Sequence, residues 1–319
     1  MIEVRLPEQR HIYVGPAGWN YKDWEGIVYP TLPARGFDPL GFLAQLFNVI
    51  EINSSFYRPP AVYAVRNWVQ RVKHRADFNF TYKLWQAYTH ERSGFPGTNE
   101  EAMVKSGLDV LMSAQRLGAV LIQFPWSFKM TPENFAWLQK VVDTFRDYCP
   151  VVEVRHGSWN SPAFFDYLQE AGAGFANIDQ PVIGNSIGLT ALGARRVGYL
   201  RLHGRNYKNW FASDADAASR YDYLYSESEL QSIKDVIEKL IEESPKSYII
   251  FNNHFRGQAI ANALQTMFLM EGRRLDVPAS LVETYPFLKK IAKENARGSG
   301  QGSLFSEEPF SIENKNERD

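Results

Sequence analysis

Short apolar runs recur along the chain at spacings that leave room for one helix between each pair: HIYVGPAGW (11–19), VIEINSSFY (49–57), FNFTYKLW (78–85), AVLIQFP (119–125), PVVEVRH (150–156), GFANIDQ (174–180), VGYLRLHG (197–204) and SYIIFNNH (247–254). The β-branched and aromatic content of these runs predicts eight strands. Helix starts lie between them. Asp38-Pro39, Thr131-Pro132 and Ser161-Pro162 each join a capping oxygen to a proline suited to the first helical turn, and Thr98 to Glu101 and Ser226 to Glu229 read as capping boxes. After the seventh run, Leu230, Ile233, Ile237, Leu240 and Ile241 share one face of a 3.6-residue period, as in a helix laid on a sheet. Residues 181–196 lack a helical pattern. Eight strand-then-helix units predict an α/β fold, a single (β/α)8 barrel of the TIM type over residues 1–295. A doubly wound open sheet is the alternative. The first strand-to-helix turn, GPAGWNYKDWEG, lacks the glycine spacing of a dinucleotide loop and argues against it. From Ala296 onward the chain is polar and bears Gly, Ser and charge, which predicts a disordered tail over 296–319.

Alternation within strands assigns side chains to faces. Glu51 and Asn53 oppose Ile50 and Ile52, Glu153 and Arg155 oppose Val152 and Val154, and Tyr199, Arg201 and His203 oppose Leu200 and Leu202. In the sixth run Asn177 and Asp179 oppose Ala176 and Ile178. If the aliphatic face meets the helices, the polar face lines the barrel, joined by Thr81, Lys83 and Gln123. These polar groups gather toward the C-terminal strand ends, where barrels of this type keep their active sites.

Charge refines the chemistry. Glu51, Glu153 and Asp179 are matched in number by Lys83, Arg155 and Arg201, so the interior can form a closed ion-pair network. Such balance, with no H-E-x-x-H or H-x-H spacing, argues against a divalent metal, and neither metal nor cofactor is expected. Over all 319 residues the formal net charge is −1, which gives no basic footprint for nucleic acid. The single cysteine, Cys149, cannot form an internal disulfide, the start MIEVRLPEQR has no secretory pattern, and no apolar run is long enough to span a bilayer. A cytoplasmic protein is expected.

Of the six histidines, His90, His156, His203 and His254 fall at or just beyond C-terminal strand ends. Imidazole titrates near neutrality, and inward parity makes His203 the first acid–base candidate; His156 has the parity of a loop support. The loops HGRNYK (203–208) and NNHFRGQ (252–258) follow the last two strands, where barrels commonly hold phosphate, with Arg205, Arg256 and the amides near Gly257 as anion contacts. Trp19, Tyr21, Trp24, Phe56, Tyr57, Trp85, Trp126 and Trp159 crowd the same end, where they suit a planar ring, an unstacked base or a sugar.

GPAGWNYKDWEGIVYP, VIEINSSFYRPP, TYKLWQAYTH, LIQFPWSF, VEVRHGSW, YLRLHG and FNNHFRGQAIANA, in this order, resemble the YecE-like family, domain of unknown function 72, over residues 12–290. The resemblance implies a barrel of the TIM type without an established activity. Its motif positions fall here on Gly18, Trp19, Glu51, Asn53, Phe56, Tyr57, Lys83, His90, Gln123, Glu153, Arg155, His156, Asp179, Arg201, His203, Gly204, Asn252 and Asn253. The chain departs from the pattern at Trp126 and His254.

Two functions are compatible with these residues. The first is an enzyme of hydrolase or lyase type acting on a small anionic, phosphorylated or nucleotide-like substrate. In it His203 is the acid/base, Glu51, Glu153 and Asp179 orient or share protons, and Lys83, Arg155 and Arg201 stabilise negative charge. Asn53, Tyr57, His90, Gln123, His156, Arg205, Asn252, Asn253, Arg256 and Gly257 bind substrate. The second is a non-catalytic ligand- or nucleic-acid-binding adaptor linked to DNA maintenance. The tail segment QGSLF resembles a sliding-clamp docking peptide, with Gln301, Leu304 and Phe305 as its anchors.

Overall fold

The computed structural model describes residues 10–194, 196–207 and 220–294. The tail expectation, with Gln301, Leu304 and Phe305, lies outside the described residues. All eight expected strands form: β1 (His11–Pro16), β2 (Val49–Ile52), β3 (Asn79–Lys83), β4 (Leu117–Gln123), β5 (Pro150–Glu153), β6 (Gly174–Asp179), β7 (Gly198–Leu202) and β8 (Lys246–Phe251). Each pairs in parallel with its sequence neighbour from β2 through to β8, and β8 pairs with β1. The remaining seam, β1 to β2, is joined by one bridge, Ala17 to Glu51. Below it the Asn48 side chain stands in for a ladder, accepting from Val14 N (2.9 Å) and donating to Ile12 O (2.9 Å). The approach there is close enough that a Cβ on Gly15 would sit 1.9 Å from Val49 O, so only glycine fits. The result is a near-closed barrel of the TIM type.

Around it lie α1 (Pro39–Leu46), α2 (Val62–Arg71), α3 (Thr98–Ser113), α4 (Pro132–Thr144), α5 (Pro162–Ala171), α6 (Glu227–Glu243), α7 (Gln258–Glu271) and α8 (Ala279–Thr284). Asp38, Thr131 and Ser161 cap α1, α4 and α5 as expected, and Ser226 with Glu229 forms a reciprocal capping box on α6. Thr98 does not form its box. Gly97, in extended backbone, is the cap of α3, and Thr98 becomes the first helical residue. No helix among the described residues is long and apolar enough to cross a membrane.

The core has two parts. The larger separates strands from helices and holds Ile50, Ile52, Val152, Val154, Leu200 and Leu202 together with Leu230, Ile233, Ile237 and Leu240 from α6. The smaller fills the barrel interior with Tyr13, Leu121, Val151, Tyr199, Tyr248 and Ile250; Tyr13 stacks on Tyr248 with ring centroids 4.8 Å apart. Polar side chains sit above this apolar plug.

Strand β6 reverses its expected parity. Ala176 pairs with Tyr199 and Ile178 with Arg201, both inward-facing, whereas Asn177 and Asp179 pair with the outward-facing Leu200 and Leu202. No helix lies among the described residues between β6 and β7, so beyond Phe175, which packs on Phe164 and Phe165 of α5, the outward face of β6 meets the connector rather than a helix. Asn177 instead binds the connector: Nδ2 donates to Leu192 O (2.9 Å) and Tyr199 O (3.0 Å), and Oδ1 accepts from Thr190 Oγ1 (2.6 Å) and Leu192 N (2.9 Å).

Candidate functional site

A layer of charge closes over the apolar plug. Arg201, from β7, donates through Nε (3.1 Å) and Nη2 (2.6 Å) to both oxygens of Glu51 and through Nη1 (2.6 Å) to Glu153. Arg155 donates from Nε (2.9 Å) and Nη2 (2.8 Å) to the other oxygen of Glu153. Tyr199 Oη contacts Glu51 and Thr81 Oγ1, each at 2.9 Å. Glu51, Glu153 and Arg201 are buried, and the two carboxylates balance the two guanidiniums. Burial alone would raise the Glu153 carboxyl; Arg201, then Arg155, overcome it and hold Glu153 well below the usual carboxylate range.

Above this closed layer is an open cleft of about 430 Å³ at the C-terminal mouth. Its walls come from the segments after β1 (Gly18, Trp19, Asn20, Tyr21), after β2 (Asn53, Ser54, Phe56, Tyr57) and after β8 (Asn252, His254), with Lys83 at the end of β3 and Tyr221 before α6. Lys83 Nζ lies 4.0 Å from the centroid of the Phe56 ring, and among the described residues it has no hydrogen-bond or ion-pair partner. Desolvation, then the charge of Arg201, pulls its ammonium down to about 7 against the opposing effect of Glu51 and Glu153. Two further polar atoms of lining residues, Asn53 Oδ1 and His254 Nδ1, also have no hydrogen-bond partner among the described residues. The His254 ring stacks on Tyr21 (centroids 4.4 Å, 13°), and burial lowers its pKa to about 4. No Asp, Glu or Arg lines the described cleft, so Lys83 supplies its only formal charge.

His203 is fully buried and lies behind the wall rather than in it. Asn252 Nδ2 is 3.0 Å from its Nδ1, and Arg201 Nη1 is 3.4 Å from its Nε2. Burial, followed by Arg201, lowers its pKa to about 3, which leaves a neutral imidazole at pH 7. It reaches the cleft through Asn252, whose Oδ1 accepts from Asn53 Nδ2 (3.4 Å). His90 packs edge-on to Phe56 at 4.8 Å and lies 3.5 Å from Gln123 Nε2; burial, then Lys83, lowers its pKa to about 4.

Several expected site residues are placed elsewhere. Asp179, outward on β6, is held by Arg205 (2.9 and 3.0 Å) and by Tyr225 Oη (2.6 Å), and Arg205 also reaches Glu229 (3.2 Å). Arg205 is thus committed to two carboxylates instead of an open anion site. The Gly257 amide donates to His254 O (3.2 Å), and Arg256 N donates to Asp23 (2.6 Å), so both amides are already taken. Asn253 is buried against Tyr223 O (2.8 Å) and Asn262 (2.9 Å). His156 accepts from Ser158 N (3.1 Å) at the start of a 3-10 turn, as its parity suggested. Trp24 and Trp159 are buried, while Trp19, Tyr21, Phe56 and Tyr57 do line the cleft. Asn20, Ser54 and Tyr221 were not among the candidates; they lie in turns, where strand alternation carries no information.

Eight parallel strands around a charged interior, with an open cleft at their C-terminal mouth, define a TIM-like barrel protein with a cleft where such barrels carry their chemistry. The chain belongs to the DUF72 family, described as a protein of unknown function, whose model matches residues 13–284. It is 30% identical over 274 residues to the UPF0759 protein YunF of Bacillus subtilis (strain 168), covering 82% of this chain and 95% of that one. A crystal structure of a DUF72 family protein from Thermotoga maritima MSB8 is 32% identical with a TM-score of 0.71, covering 82% of this chain and all of that one. One from Enterococcus faecalis V583 is 25% identical, also at 0.71, covering 83% and 97%.

Proposed function

We propose that the protein is an enzyme of lyase or hydrolase type whose reaction takes place at Lys83, on a small hydroxylated substrate bound in the mouth cleft. The observation that carries this is Lys83 itself, an amine that opens onto the cleft over the Phe56 ring, without a hydrogen-bond or ion-pair partner among the described residues and poised near neutrality. The walls suit the substrate: Asn20, Asn53, Ser54 and Asn252 offer neutral donors and acceptors, and Trp19, Tyr21 and Phe56 offer flat apolar faces. With Arg205 held by Asp179 and Glu229 and no arginine in the described lining, hydroxyl and carbonyl groups match the lining better than a phosphate.

The test is a thermal-shift screen of the full chain against neutral sugars and hydroxy-carbonyl compounds, with sugar phosphates and nucleotides alongside, because a ligand of the native state raises apparent stability by mass action. Stabilisation by members of the first group is expected, with NMR-detected turnover of at least one of them that Lys83→Met abolishes. Stabilisation by phosphates or nucleotides alone, or turnover that survives Lys83→Met, would overturn the proposal.

A further inference from the structure

Lys83 differs from a general base in what surrounds it. Its nitrogen stands in an open cleft, 4.0 Å from the Phe56 ring centroid, with no carboxylate within ion-pair distance among the described residues. The groups facing it are Glu51 on β2, Glu153 and Arg155 on or just after β5, Arg201 on β7 and His90 beyond β3. Both carboxylates are already saturated by the two guanidiniums, so neither is free to take a proton from Lys83 or to hold one on it. A general base needs a group to which its captured proton can pass; among the described residues this nitrogen has no basic side chain in contact to take it. What it does have is open space in front of its lone pair, which is the requirement of a nucleophile.

We infer that Lys83 Nζ forms an imine with an aldehyde or ketone substrate in the mouth cleft. This rests on the proposal above that the cleft is the place of chemistry, and it adds the substrate class and a covalent intermediate. The nitrogen lone pair attacks the carbonyl carbon, a C–N bond forms, and the C=O π pair moves to oxygen. A proton passes from nitrogen to that oxygen to give a carbinolamine. Protonation of the hydroxyl by solvent water lets it leave as water while the nitrogen lone pair closes the C=N bond to an iminium, and return of the N–H proton to the hydroxide left behind gives the imine. The sum is amine plus carbonyl giving imine plus water, with no oxidant or reductant consumed. The iminium is an electron sink for breaking a bond next to the former carbonyl, which is lyase chemistry. At pH 7 about half of such an amine is unprotonated, against roughly one in 3,000 of an ordinary lysine.

The probe is glycolaldehyde, small enough to enter without specific recognition, with sodium cyanoborohydride at pH 7, which reduces the imine to a stable secondary amine. After digestion, mass spectrometry of the full chain should find the adduct at Lys83 at least tenfold above exposed Lys290, and the Lys83 adduct should form faster than the exposed-lysine mean in the Phe56→Leu variant also. Lys83→Arg should keep the fold, read by its circular dichroism, and leave only the surface background. Labelling of Lys83 at or below the level of Lys290 overturns the imine. That result is separable from failure of the proposed function: loss of ligand turnover in Lys83→Met without trapping keeps the cleft as the site and removes only the covalent step.

Discussion

At the scale of single residues, Lys83 owes its chemistry to a balance it does not take part in. Glu51 and Glu153 favour its ammonium, Arg201 and Arg155 disfavour it, and desolvation tips the outcome. Removing one guanidinium should therefore raise its pKa. Arg201 is fully buried, and its loss would leave Glu51 without its cation and Glu153 with Arg155 alone, at a cost of about 3–5 kcal/mol. Arg155 keeps some exposure, so Arg155→Gln is the gentler test. Competitive labelling of Lys83 across pH should give a midpoint near 7 in the wild type and a higher one in Arg155→Gln; an unchanged midpoint would mean that the charge layer does not set this amine. The alternation of residues in β2, β3, β5 and β7 made this layer legible in the sequence. The isolation of Lys83 was not legible, because counting three cations against three anions cannot say which cation is left over. Asp179 turns outward to Arg205, and the remaining Glu51 and Glu153 take Arg201 and Arg155.

At the scale of elements, apolar runs were enough to find every strand, and four of the five expected caps act where their side chains indicated. Strand β6 shows where that logic stops. Alternation sorts side chains into two faces, and naming the inner one requires knowing what covers the outer. Where a helix covers it, the aliphatic face is outside; where a loop does, an asparagine can be. Asn177 makes four hydrogen bonds to the β6–β7 connector and to Tyr199 O. Asn177→Ala strands backbone groups of that connector, and the expected loss is about 2–3 kcal/mol. Urea unfolding should show this as a lowered midpoint with ligand response in the mouth cleft retained. A stable variant with a damaged ligand response would instead restore Asn177 to the barrel interior.

At the scale of the whole molecule, folding brings four imidazoles, those of His90, His156, His203 and His254, and one amine into places that disfavour their charged forms, and this shapes how stability depends on pH. His90 and His254 titrate at about 4 and His203 at about 3 when folded, all below the ordinary 6.5, with burial the largest cause in each. Between those values and 6.5 the unfolded chain binds more protons, so stability rises with pH through that window and is lost as pH falls, by up to about 1.4 kcal/mol per pH unit for each group. Glu153 acts in the same direction lower down, because its depressed pKa gives stability that is present above its unfolded value and lost as pH drops below it. Lys83 extends the rise upward. Its folded value of about 7 lies below the ordinary 10.5, so the unfolded state again binds more protons from 7 to about 10. Urea midpoints of the wild type should climb from pH 4.5 to 6.5 and continue to climb from pH 7 toward 10. Lys83→Met should keep the first rise and lose the second, and its advantage over the wild type, largest below pH 7, should shrink as the wild-type amine gives up its proton. Parallel profiles for the two proteins above pH 7 would show that Lys83 titrates like a surface lysine, and the chemistry assigned to the cleft would then have no free amine to begin it.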